Sequence, residues 1–222
     1  MTISATKTLP KNERFRAHLP RLPPLQVAIE QKAMRFRADL GISEFVELPL
    51  DVAARAIPGC EVLGLRHLPG VTFQDVIYAR TVGYHRVSAL AKRIEDSIYV
   101  VFNDAHPVAQ VRVNVMEEIF HVLLGHRPDI VTVVPRDGRC RTHDAKNEAE
   151  AEGCAKAALV PFAPLQAMLA RQTHIARIAE HFGVSIDLIH DRIGATRLGD
   201  LMNAQFRQFA LVPEQYAATL VG

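Results

Sequence analysis

The chain has 222 residues, 49% hydrophobic and 23% charged, enough apolar content to bury a core and too much for a disordered protein. Its net charge of +2 is too small to indicate a nucleic-acid or membrane partner by itself. Cys60, Cys140 and Cys154 lie far apart with no Cys-x-x-Cys pair, which argues against a disulfide framework or a zinc ribbon. With no apolar run near the roughly 18 residues of a membrane span and no signal-peptide core, a soluble cytoplasmic protein with no membrane partner is expected.

Residues 1–24 set Lys7, Lys11, Arg14, Arg16 and Arg21 against Glu13. With Pro10, Pro20, Pro23 and Pro24 they predict a flexible basic arm. From Leu25, the positions Val27, Ile29, Ala33, Met34, Phe36 and Leu40 recur at roughly helical spacing up to Gly41, a helix stop. A short helix is predicted over Asp51 to Ala56, capped by Asp51 and ended by Pro58-Gly59. Glu61 to Leu65, Val71 to Tyr78 and Ser97 to Phe102 are short and rich in Val, Ile, Tyr and Phe, and they predict strands of a small sheet.

The last strand leads through Asp104-Ala105-His106-Pro107 into an apolar, helix-like run ending at Gly125-His126. A loop with a turn at Asp137 to Arg141 follows, then an Ala-rich helix from near Asp144 or Lys146 to Val160, stopped by Pro161. Further helices are expected over Pro164 to Arg171, Ile175 to His181, Ile186 to Ile193 and near Leu201 to Phe209. The fold class is α+β, mainly helical, with its strands grouped in the middle.

Inside the apolar run stand Glu117, Glu118 and His121. Charged side chains are seldom buried unless paired or bound to a cation, and positions i and i+4 share a helix face, so Glu117 and His121 point the same way with Glu118 beside them. Zinc peptidases of the H-E-x-x-H type need two ligands one turn apart, a glutamate that takes a proton from the attacking water, and a third ligand from elsewhere. The run Glu117-Glu118-Ile119-Phe120-His121 meets that pattern with a glutamate in place of the first histidine. The same residues also fit a solvated stripe with His121 as a hydrogen-bonded core residue.

Val113 to His126, followed by Glu148 to Leu159-Val160-Pro161, resembles the ImmA/IrrE family of metallo-endopeptidases. The strand Ile98 to Asn103 and the segment Phe182-Gly183-Val184-Ser185 are similar to that family as well. The resemblance implies a zincin-like domain over residues 25–198, with core motifs in 97–161, a helical segment at 164–198 and a C-terminal helical tail at 199–222. It implies Glu118 as general base and Glu117, His121 and Glu150 as metal ligands, with His126 and Glu148 as alternatives. His126 lies roughly 140° off the ligand face of an ideal helix, but a turn at Gly125 can bring it back. Glu148, Glu150 and Glu152 alternate and cannot share one face, so only one of them faces the site well, and Glu148 and Glu152 are expected at the surface.

Two histidines and a glutamate leave a Zn²⁺ site at about +1, whereas two glutamates and one histidine bring it to about zero. That lowers the acidity of a bound water and favours harder cations such as Mn²⁺ beside Zn²⁺. A weaker peptidase, another metal and a metal-free descendant all follow from the same substitution. The resemblance further implies a substrate among cytoplasmic helix-turn-helix transcriptional regulators, in stress, phage or mobile-element settings. The alternative is an inactive relative that binds a regulator or DNA.

Ile175 to Ile189 itself has the pattern of a helix-turn-helix, with Ala179 between the helices, Gly183 at the turn and Val184 and Ile189 in the core. Arg192 and Arg197 would then meet phosphates. The second helix carries Asp187 and Asp191 and few base-reading side chains, which argues against DNA.

Overall fold

The computed structural model describes residues 22–68, 70–81, 83–84, 88–94, 96–126 and 145–202. The expected arm up to residue 21, the turn at Asp137 to Arg141 and residues 203–209 of the last predicted helix lie outside them. Helix α1 spans Pro24–Asp39, begins on proline as first helical turns tolerate, and closes at Gly41 with φ +69°. Helix α2 spans Leu50–Ala54, and its N-cap is Pro49, not Asp51. Asp51 lies one position into the first turn, where it meets the helix dipole and Arg55 at 3.3 Å.

Strand β1, Cys60–Gly64, is followed by a single 3-10 turn at Leu65–His67. The strand expected over Val71 to Tyr78 is instead helix α3, Phe73–Arg80. Its cause is a capping box: the Thr72 hydroxyl accepts from the Asp75 backbone N–H, and the Asp75 carboxylate accepts from the Thr72 N–H. Strand β2, Ala89–Ile94, was not anticipated, and it pairs antiparallel with β3, Ser97–Phe102. β1 pairs parallel on the other side of β3, so the order is β1-β3-β2.

β3 buries Ile98, Val100 and Val101 and runs into a pinned corner. Buried Asn103 donates to the Ala79 carbonyl at 2.8 Å and accepts from the Ala105 N–H at 3.1 Å. Asp104 binds Arg66 and Arg80, and His106 stacks on Tyr84 with ring centres 4.5 Å apart. Helix α4, Val108–Leu123, leaves that corner with Val111, Val115, Met116, Ile119 and Phe120 on its buried side.

Helix α5, Ala145–Leu159, lies between α4 and α1, which its sequence of small residues permits: Ala151, Ala155, Ala157, Ala158 and Cys154 are all buried. A Cβ on Gly153 would stand 2.7 Å from Cδ1 of Ile29, so a larger residue there would displace the end of that side chain of α1. Burial pushes the Cys154 thiol up to about 12, which keeps it protonated as a packing group. Helices α6 (Phe162–Ala170), α7 (Ile175–Phe182) and α8 (Ile186–Ala195) complete the described chain.

Three buried arginines close helix ends, where carbonyls lack partners of their own. Arg37 donates to the Ala158 carbonyl at 2.7 Å, Arg192 to that of Val160 at 2.9 Å, and Arg112 to that of Phe182 at 3.3 Å. Arg112 also pairs with Glu47 at 2.8 Å, directly under Gly183, whose φ is +63°. A Cβ at Gly183 would stand 2.6 Å from the Glu47 carboxylate. Gly183→Ala is therefore expected to lose about 1–2 kcal/mol from the left-handed backbone alone, read as a lower denaturant midpoint at unchanged slope.

Among the described residues no single helix is long and apolar enough to cross a membrane.

Candidate metal centre

Helix periodicity sets Glu117 and His121 one turn apart on α4, with Glu117 Oε1 4.0 Å from His121 Nε2. Packing of α5 against α4 brings a second carboxylate to the same nitrogen, Glu148 Oε1 at 3.6 Å. Ligand atoms of Glu117, His121 and Glu148 all lie within 4.8 Å of one another, and all three residues are half-buried. Zn–ligand bonds of about 2.0–2.1 Å would set tetrahedral ligand atoms about 3.4 Å apart. The separations of 3.6 and 4.0 Å at His121 Nε2 lie close to that spacing, so this donor set fits a divalent cation. Two carboxylates and one imidazole give it oxygen-rich, hard character.

Glu118 follows Glu117 by about 100° around the helix and faces the sheet. Its Oε2 accepts from the backbone N–H of Ala91 on β2 at 2.9 Å. β2 is the edge strand in the order β1-β3-β2. The carboxylate thus joins α4 to that edge strand.

Glu150 is not in the Glu117, His121 and Glu148 group. It sits two residues beyond Glu148 on α5, and Lys32 of α1 binds its Oε1 while His126 Nε2 lies 3.5 Å from its Oε2. The Lys32 ammonium holds the Glu150 carboxyl below the usual carboxylate range. Of the two glutamates expected at the surface, Glu152 is half exposed and pairs with Lys156 at 2.8 Å, whereas Glu148 is half-buried and turned to His121 by the packing of α5 on α4.

His126 reaches this place through the end of α4. Gly125 takes φ +68°, its N–H donates to the Val122 carbonyl at 3.1 Å, and the His126 N–H donates to that of His121 at 3.0 Å. That is the double hydrogen bond of a Schellman turn. It folds His126 back against the Nδ1 side of the His121 ring, opposite the Nε2 that Glu117 and Glu148 approach, with the two Nδ1 atoms 3.1 Å apart.

The helix-turn-helix pattern is present as geometry: α7, left-handed Gly183 and α8, with Ala179, Val184 and Ile189 buried. Arg192, expected to meet phosphates if DNA were bound, is instead 1% exposed and holds buried Glu30 through two bonds of 2.8 and 2.9 Å. A guanidinium so enclosed cannot reach a nucleic acid, which corrects that assignment. Arg197 is exposed, while Asp191 on the outer face of α8 is paired with Lys156 at 2.7 Å. Lys32 and the Ala91 amide escaped the sequence reading. Lys32 meets its partner only across 118 residues, and an amide has no sequence signal once its strand is missed.

Residues 80–193, about half the chain, match the family model described as the IrrE N-terminal-like domain, Peptidase_M78. Comparison with curated proteins gives no match. The matched span runs from the end of α3 into α8 and leaves out α1.

Proposed function

Because the chain belongs to the IrrE N-terminal-like domain family of peptidases, we propose that it is a metal-dependent endopeptidase with Glu117, His121 and Glu148 as ligands and Glu118 as general base. The observation that carries this is the meeting of three ligand atoms from two helices beside a carboxylate fixed on the neighbouring strand. A divalent cation there supplies Lewis acidity, making a water more acidic and a peptide carbonyl more electrophilic. Glu118 takes the proton of the attacking water and passes it to the leaving amine. The Ala91 amide orients the carboxylate for that transfer.

Zn²⁺ or Mn²⁺ fits the donor set. The proposed substrate, from the family resemblance, is a helix-turn-helix transcriptional regulator in the cytoplasm, in stress responses or in phage and mobile-element control. Burial of Arg192 and the acidic outer face of α8 speak against DNA as the partner.

Metal analysis of protein purified without chelator or affinity-tag metal tests the centre. About one equivalent of a divalent cation is expected, falling below about a tenth in Glu148→Ala and in His121→Ala, since each removes one of three protein ligands. Wild-type protein that stays below a tenth after addition of Zn²⁺ or Mn²⁺ would sink the proposal. It would leave an inactive regulator-binding relative as the better account.

A further inference from the structure

We infer that His126, Glu150 and Lys32 form an outer chain that fixes the ring of His121 for the cation, making α1 a working part of the centre although it lies outside the family match. This rests on the metal-binding reading above and adds to it three residues that touch no substrate.

The protons of the chain can be placed one after another. His121 turns Nε2 towards Glu117 and Glu148, at 4.0 and 3.6 Å, and Nδ1 towards His126. A nitrogen that gives its lone pair to a cation carries no hydrogen, so the proton of the neutral ring sits on Nδ1. It is donated to His126 Nδ1 at 3.1 Å, which leaves the His126 proton on Nε2, facing Glu150 Oε2 at 3.5 Å. The other oxygen of Glu150 accepts from Lys32. Each ring proton placed in this way faces an acceptor.

With neutral rings, the opposite direction fails at its far end. If His121 kept its proton on Nε2, Nδ1 would accept from His126, and the bare Nε2 of His126 would face a carboxylate. Only the direction that frees His121 Nε2 for a cation satisfies Glu150. The chain is also held in place, because the Schellman turn fixes His126, whose side chain is 9% exposed, and Lys32 ties Glu150 to α1. By engaging Glu150, Lys32 keeps that carboxylate off the cation and leaves Glu148 to be the third ligand.

Such partners behind a metal-binding histidine are typically worth 10–100-fold in metal affinity. The test is Zn²⁺ competition against a chromophoric chelator on the full chain, with the Co²⁺ absorption spectrum and thermal unfolding of the metal-free protein as second and third readouts. His126→Ala and Glu150→Gln are expected to bind one Zn²⁺ about 10–100-fold more weakly than wild type. Metal-free unfolding should be unchanged, and the Co²⁺ bands of His126→Ala shifted. His126→Asn, whose amide oxygen can accept where Nδ1 did, should recover most of the affinity and the wild-type bands, and Lys32→Met should lose affinity without losing stoichiometry.

Wild-type affinity in both His126→Ala and Glu150→Gln would overturn the inference and leave the Glu117, His121 and Glu148 centre standing. If Glu150→Gln lost the Zn²⁺ altogether while Glu148→Gln kept it, Glu150 would be a ligand and the inference would fall. A wild-type protein that binds no cation overturns the functional proposal, and the outer chain with it.

Discussion

Glu118→Gln is expected to slow cleavage of a co-expressed helix-turn-helix regulator by about 10²–10⁴-fold, the usual worth of a positioned general base, while metal content stays at the wild-type level. The amide keeps the shape of the carboxylate and an oxygen that can accept from Ala91 at the 2.9 Å contact, so β2 and α4 keep their relation. What it loses is the ability to take a proton. Glu117→Gln differs, because that position faces His121 and Glu148 and its loss should show first in metal content. Band intensities of the cleaved regulator, with metal analysis of the same preparations, separate the two. Normal cleavage by Glu118→Gln would remove this residue from the base role.

Most of the helices could be read from the sequence because their signals are local. Proline at the start of α1, Gly41 after it, Gly125 after α4 and Pro161 after α5 act within a few residues of the boundary they set. β3 was equally plain, since both of its neighbours are strands and its own residues are branched or aromatic. The failures came where two local signals competed or where none existed. Val71, Phe73, Val76, Ile77 and Tyr78 favour a strand, yet the Thr72 and Asp75 capping box decided for helix. Ala89 to Ile94 has two alanines, Lys92 and Arg93, and is a strand because β3 pairs with it.

The candidate site divides in the same way. That Glu117 and His121 share a face was legible because four residues make about one helical turn. Which of the alternating glutamates of α5 faces His121 was not, because that depends on how α5 is rotated against α4 and α1. In the structure Lys32 and His126 engage Glu150 while Glu148 faces His121. Arg192 shows the same dependence on distant residues: its charge suggested an outer face until Glu30 of α1 was brought beside it.

Glu30→Ala is expected to destabilise the protein by about 3–5 kcal/mol, the cost of leaving a buried charge without its partner. The two residues are 2% and 1% exposed, and the pair is bidentate, with Gln26 adding a third hydrogen bond to Glu30 at 2.7 Å. Arg192→Met should cost about as much, because it strands the Glu30 carboxylate and frees the Val160 carbonyl that the Arg192 Nε now holds. The double variant Glu30→Leu with Arg192→Met removes both charges and should recover most of the loss, short of what the Val160 carbonyl requires. Urea unfolding of the metal-free wild type, both singles and the double gives the coupling, expected above about 2 kcal/mol for residues in one network. Additive losses would show that the contact is not energetic. The pair joins α1 to α8 across 162 residues, and α1 also carries Lys32. An N-terminal helix outside the family match is thereby fastened to the domain by the same kind of charged contact that it extends to the centre. Wild-type unfolding in one transition, with α1 lost together with the rest, is what that fastening requires; separate melting of α1 would contradict it.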